Sequence, residues 1–214
     1  MAIRKILTDK DPALHKKCHA VTQFDERLWE LLDDMKETLE DACGVGLAAP
    51  QIGIIRRVVL VVINEDGDML ELINPEILEQ RGEQDGLEGC LSVPGMWAYI
   101  KRPQWVKVRA QDRNGNWFEA EGEGMTARCF CHEVAHLDGH LYTELADRLY
   151  TTEELEQLER EQEEQSCGSF LWAHRNLLCP VWMLWSRPDM RWWGCSANLI
   201  ARLDGIKTVC SLPL

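Results

Sequence analysis

Nowhere does the chain run about eighteen apolar residues without interruption, so no stretch suits a helix crossing a bilayer. Its opening, Met-Ala-Ile-Arg-Lys-Ile-Leu-Thr-Asp-Lys, lacks the apolar run of a secretion signal. No two cysteines stand at C-x-x-C spacing. The nine of them, an odd and scattered set, fit the reduced thiols of a cell interior better than a disulfide framework. Basic charge is short, with 23 Lys and Arg against 36 Asp and Glu and a net charge of −13, which argues against a nucleic-acid backbone as the main partner. The expectation is a cytoplasmic protein with no membrane partner and no specific nucleic-acid binding. At 214 residues it is long enough to bury a sizeable core.

Acidic charge is missing locally too. Cys167–Leu214 holds only 2 of the 36 acids, yet it carries five of the nine tryptophans and four of the nine cysteines, with no helical or strand period. Composition breaks at Cys167, so a folded domain is expected over 1–166 and a poorly ordered tail over 167–214.

The first 166 residues do have period and punctuation. Residues 1–23 read as an extended lead-in. From Asp25, Leu28, Leu31, Leu32, Met35 and Leu39 repeat at three and four, an amphipathic packing helix ending before Gly44. Gly44–Gly53 follows, a small-residue run that is either a tight loop or a place where another backbone comes close. Val58–Ile63 and Glu71–Leu78 read as strands, the first apolar enough to be buried on both faces. Gln80 to Gly86 reads as a charged loop, and Pro94-Gly95 bounds a bend. Trp105–Gln111 and Trp117–Gly122 flank Asn114-Gly115, a hairpin signal. An acidic helix starts at Thr152 and runs to about Gln165.

Between the hairpin and that helix lies His132-Glu133-Val134-Ala135-His136, an H-E-x-x-H stretch. On a helix from about Gly124, the four-residue step stacks both imidazoles on one face, where they can bind one metal ion beside Glu133. Met125, Phe130, Val134 and Leu137 fall at the spacing of a buried face, Thr126 can cap, and Gly139 is a stop. Two ligands do not make a site. The candidate third donor is Cys90; a lone cysteine is most often an inert core residue, but here it lies between Gly89 and Leu91 at the bend.

In order and spacing, Gly44–Gln51, Glu88–Gly95 and His132–His136 resemble the three signature motifs of bacterial peptide deformylase: G-x-G-x-A-A-x-Q, E-G-C-L-S and H-E-x-x-H. The likeness covers about residues 1–160. It implies an α+β fold with antiparallel sheets around a central metal-binding helix. It implies a hydrolase that removes the formyl group from the N-terminal methionine of newly synthesised proteins and releases formate. Cys90, His132 and His136 would bind one divalent metal, Fe2+ foremost, with Zn2+, Ni2+ or Co2+ tolerated. Glu133 would carry the proton, and the Gln51 side chain and the Leu91 N–H would stabilise the oxyanion. Gly44, Val45, Gly46, Leu87, Gly89 and Cys129 would meet the substrate, an N-formyl-methionyl nascent peptide emerging near the ribosomal exit tunnel.

The chain departs from that pattern at Ala135, where most relatives carry an acid, and at Cys131, where many carry Gln. Loss of a polar contact that orients a ligand commonly costs about ten- to a hundredfold, so a catalytically impaired copy is one alternative. A zinc endopeptidase with His140 as downstream ligand is another. The tail carries a second resemblance. Read one base out of phase from Ser166/Cys167 to Gly205, it is compatible with the start of methionyl-tRNA formyltransferase, including the motifs MGTPEF and QPDRPAGR. Trp172, Met183, Trp185, Met190, Trp192 and Trp193 leave no choice of codon there. That resemblance implies a frameshift-derived tail and sets the enzyme that adds the formyl group beside one that removes it.

Overall fold

The leucines repeating from Leu28 do wind into a helix, α1 (Glu26–Asp41), whose N-cap Asp25 accepts a hydrogen bond from the Leu28 N–H at 3.2 Å. Its apolar stripe is buried, and so are two polar residues beside it. Asp34 accepts from Arg4 (Nε, 2.9 Å; Nη2, 2.6 Å), and Thr38 Oγ1 accepts from the Arg4 N–H at 2.9 Å, which straps the irregular lead-in onto the helix. The computed structural model describes residues 2–64 and 67–161. The described residues fall into two compact units, the first running to Leu149 and the second beginning at Tyr150.

Within the first unit, β1 (Gly46–Ala48), β2 (Val58–Val62), β3 (Met69–Arg81), β6 (Trp105–Gln111) and β7 (Trp117–Glu123) form an antiparallel sheet in the order β1-β2-β3-β6-β7. The apolar run of β2 serves two cores by simple alternation. Val58 and Leu60 pack with α1, whereas Val59 and Val61 join Leu72, Val106, Val108 and Phe130 on the opposite face. β3 is longer than the expected Glu71–Leu78. It tolerates a break at Asn74, whose φ is +52°, because the Asn74 side chain bonds both the N–H (2.8 Å) and the C=O (2.9 Å) of Val21. The β6–β7 hairpin turns at Gly115, with φ +87°, as Asn114-Gly115 predicts.

Two expectations are corrected. The region read as a loop and a bend is a hairpin of β4 (Gln84–Cys90) and β5 (Val93–Arg102) with Leu91-Ser92 at its tip. Its strand pattern was hidden because the inward residue of β4 is a charged Glu88, while Gly86 and Gly89 stand where any Cβ would strike Arg128 or the Trp97 ring. The central helix, α2 (Gly124–Leu137), is capped by Glu123 without a side-chain bond, and Thr126 is buried inside it, packed under Gly122. The expected stop is present: Gly139 has φ +85°, and the His140 N–H reaches back to the Ala135 C=O at 3.0 Å. α2 is buried around most of its circumference, so the sheet and the β4–β5 hairpin enclose it. This is the α+β arrangement of antiparallel sheets about one helix.

In the second unit, β8 (Tyr150–Thr151) leads into helical residues 152–161. Thr151 Oγ1 accepts from the Glu154 N–H (3.2 Å) and Glu154 accepts from the Thr151 N–H (2.9 Å), a reciprocal cap that starts the helix where expected. The end of that helix and the tail over 167–214 lie outside the described residues.

Candidate active site

The four-residue step on α2 places His132 and His136 on one face with ring centroids 4.9 Å apart, and the tip of the β4–β5 hairpin brings Cys90 to them. Cys90 Sγ lies 3.3 Å from His136 Nε2, and one donor atom from each of Cys90, His132 and His136 lies within 4.8 Å of the others. These residues fit a divalent ion. One sulfur and two imidazole nitrogens converge, the three protein donors typical of a catalytic site and a set suited to iron, zinc, nickel or cobalt. His140 does not join them; it is exposed and bonded to Glu144 at 2.8 Å.

The neighbours hold the two imidazoles unequally. His132 Nδ1 faces Glu88 Oε2 at 3.1 Å. Glu88 also accepts from Arg102 Nε (2.9 Å), Arg102 Nη2 (3.0 Å) and Arg128 Nη1 (2.9 Å), so a carboxylate only 4% exposed lies between two guanidinium groups and an imidazole. Burial raises the Glu88 pKa, but hydrogen bonds from His132 and Arg102 outweigh it and pull the value down to about 2. Burial likewise opposes charge on His132, yet bonds to Cys90 and Glu88 lift its pKa to about 10. Burial and the adjacent His132 charge push His136 down to about 3.

Glu133, 5% exposed, behaves differently: burial raises its pKa to about 7, and its Oε2 has no hydrogen-bond partner among the described residues. A buried carboxyl of this kind can gain and lose a proton near neutral pH. It lies against Gly46, where an added Cβ would come 2.5 Å from Glu133 Oε1. Gly46 is on β1, the edge strand of the sheet. Because the Val62 N–H bonds the Val45 C=O at 2.9 Å, alternation turns the Gly46 N–H and C=O outward along that edge. Gly44 packs close to Leu91, and Val45 is exposed.

Gln51, 1% exposed, sits in the tight turn after β1. Its Oε1 accepts the Ala48 N–H at 2.7 Å, which fixes the amide so that Nε2 points at Cys90 Sγ (3.5 Å) and Ser92 Oγ (3.3 Å). The lead-in clamps both loops through Leu7 N–H to the Gln51 C=O (2.7 Å) and Asp9 N–H to the Ser92 C=O (2.9 Å). The remaining substrate candidates are less gathered. Leu87 and Gly89 occupy the face of β4 opposite Glu88, and Cys129 is buried in the core. Sequence reasoning assigned no part to Glu88, Ser92, Arg102 or Arg128. Glu88 and Ser92 stand in the quoted E-G-C-L-S motif, whereas nothing local marks the two arginines.

Residues 3–152 match the family model described as polypeptide deformylase. The chain is 51% identical over 157 residues to peptide deformylase of Caldicellulosiruptor bescii, covering 73% of this chain and 93% of the relative. It is 46% identical over 159 residues to peptide deformylase 1 of Bacillus subtilis, covering 74% and 99%. Among solved structures, it resembles the deformylase of Thermotoga maritima with a TM-score of 0.66 at 38% identity, over 69% of this chain and all of that one (100%). The deformylase of Legionella pneumophila gives 0.66 at 39% identity, over 76% and 98%. These likenesses do not favour the endopeptidase reading. The chain belongs to the polypeptide deformylase family, whose members are metal-dependent amide hydrolases.

Proposed function

We propose that this site hydrolyses the formyl amide on the N-terminal methionine of nascent chains and releases formate. The observation that carries this reading is the convergence of one donor atom each from Cys90, His132 and His136 within 4.8 Å, with the buried Glu133 beside them, its Oε2 without a hydrogen-bond partner among the described residues. Cys90, His132 and His136 would hold the ion, for which Fe2+ is our assignment and Zn2+, Ni2+ and Co2+ are workable substitutes. When bound, a divalent ion supplies a Lewis acid that polarises the formyl carbonyl and lowers the pKa of the attacking water. Glu133 takes the proton from that water and passes it to the departing amine. Gln51 Nε2 and the Leu91 N–H donate to the oxygen that becomes negative, a contribution commonly worth about 3 kcal/mol per donor. The outward N–H and C=O of Gly46 offer a strand edge to an extended peptide, with Gly44 and Val45 alongside; Leu87, Gly89 and Cys129 complete the surroundings of the methionine side chain. Substrates of this kind place the enzyme in the cytoplasm, near the ribosomal exit tunnel.

The test is formate release from a formyl-methionyl tripeptide by protein reconstituted with each metal under anaerobic conditions. Turnover is expected, fastest with Fe2+ and decaying in air as the thiolate-bound iron oxidises. Cleavage of internal bonds in unformylated casein, with no formate from the tripeptide, would overturn the assignment.

A further inference from the structure

Beside the imidazole face of α2, Cys131, Val134, Ala135 and Asp138 form a stripe at helical spacing along one side of an open cavity of about 290 Å3. Across from it stand Ile77 and Gln80 of β3 and the end of β5, Lys101 to Pro103. Arg102 is among the residues that line it. Arg102 is 9% exposed and spends Nε and one N–H of Nη2 on Glu88, whereas Nη1 bonds to no group among the described residues. A guanidinium carries five N–H groups, and a second carboxylate can take the edge that the first does not.

The charges facing the cavity favour an anion. Asp138 lies on its wall but is matched by Arg57 at 3.0 Å and Lys17 at 3.8 Å. Among the described residues Lys101 pairs with Glu83 alone, at 3.3 Å, with both side chains about two-thirds exposed (69% and 67%) and the pair therefore weak. His140 is occupied by Glu144 at 2.8 Å. Ala135, which also lines the cavity, brings no charge to it. Ile77, Pro103 and Val134 add apolar wall, so the space suits a charged head on a short hydrocarbon stem.

We propose that this cavity binds a small aliphatic carboxylate, its head on Arg102 and Lys101 and its stem against Ile77, Pro103 and Val134. Occupancy is transmitted to the metal centre through Arg102, Glu88 and His132, since a second anion on Arg102 loosens its hold on Glu88 and leaves that carboxylate freer to accept from His132 Nδ1.

Butyrate titrated calorimetrically into metal-loaded, full-length protein at constant ionic strength should bind at a single site, with chloride and butylammonium giving no comparable heat. Ala135→Glu, which places a carboxylate in the cavity, and Ala135→Leu, which narrows it, should each weaken binding at least about tenfold, the loss expected for one charge-assisted pair. Lys101→Gln, a change at an exposed side chain, should weaken it about threefold. In Co2+-loaded protein, butyrate should shift the visible absorption of the parent and leave both Ala135 variants unmoved. Heat no greater than that of chloride overturns the proposal. So does binding that survives in every variant and is displaced by a formyl-peptide, because the carboxylate then sits at the catalytic centre.

Discussion

Replacing Glu88 by glutamine removes one negative charge from a buried position on which Arg102, Arg128 and His132 all depend, at 2.9–3.1 Å. The pKa of Glu88 is pulled from 4.5 to about 2, and at about 1.4 kcal/mol per unit this corresponds to about 3 kcal/mol of native-state stabilisation. Breaking a buried ion pair by removing one partner commonly costs about 3–5 kcal/mol, so the two routes agree in size. Because the folded pKa lies below the unfolded one, this contribution is complete above about pH 4.5 and disappears as pH falls toward about 2. Urea unfolding of metal-free protein at neutral pH should therefore show Glu88→Gln less stable by about 3–5 kcal/mol, with the parent converging on the variant as the solution is acidified. Metal affinity, measured by competition with a chromogenic chelator, should fall about ten- to a hundredfold because the charged acceptor that orients His132 becomes a neutral amide. A variant within about 1 kcal/mol of the parent, and within about threefold in metal affinity, would refute the view that Glu88 organises this cluster.

Cys90→Ser, His132→Ala and His136→Ala should each abolish metal retention, whereas Glu133→Ala should keep the metal and lose turnover; metal analysis beside formate release separates the two outcomes. Gly46→Ala should retain fold and metal while turnover falls about ten- to a hundredfold, since the new methyl displaces the Glu133 carboxylate by which the proton moves; unchanged turnover would show that Glu133 adapts freely. Ala135→Asp should raise turnover at unchanged metal stoichiometry, and a variant no faster than the parent would mark Ala135 as a neutral substitution. In metal-free protein, Glu133 should cost stability as pH rises from 4.5 through about 7, because its pKa is raised and its buried neutral form must ionise. Glu133→Gln should flatten that loss in a pH series of thermal melts.

What could be read along the chain was whatever depends on near neighbours. The i, i+4 step of His132 and His136 needs only a helix to bring the rings together, and Asn114-Gly115 needs only its own backbone preferences to turn a hairpin. The alternating demands of two cores wrote an unbroken apolar run into β2. β4 was illegible for the converse reason: it buries a charge instead of an apolar side chain, and Glu88 is tolerable there only because Arg102, 14 residues away, and Arg128, 40 residues away, arrive from other elements. Thr126 has the chemistry of a cap but was drawn into the core under Gly122, a choice made by packing and not by propensity. Cys90 and Gln51 could be nominated from sequence, but their convergence at 3.5 Å, the fixed orientation of the Gln51 amide and the raised pKa of Glu133 all come from burial and long-range contact. Donor types and helical spacing are local properties of a sequence; the dielectric around a carboxyl, and the company a buried charge keeps, exist only once distant segments have packed against one another.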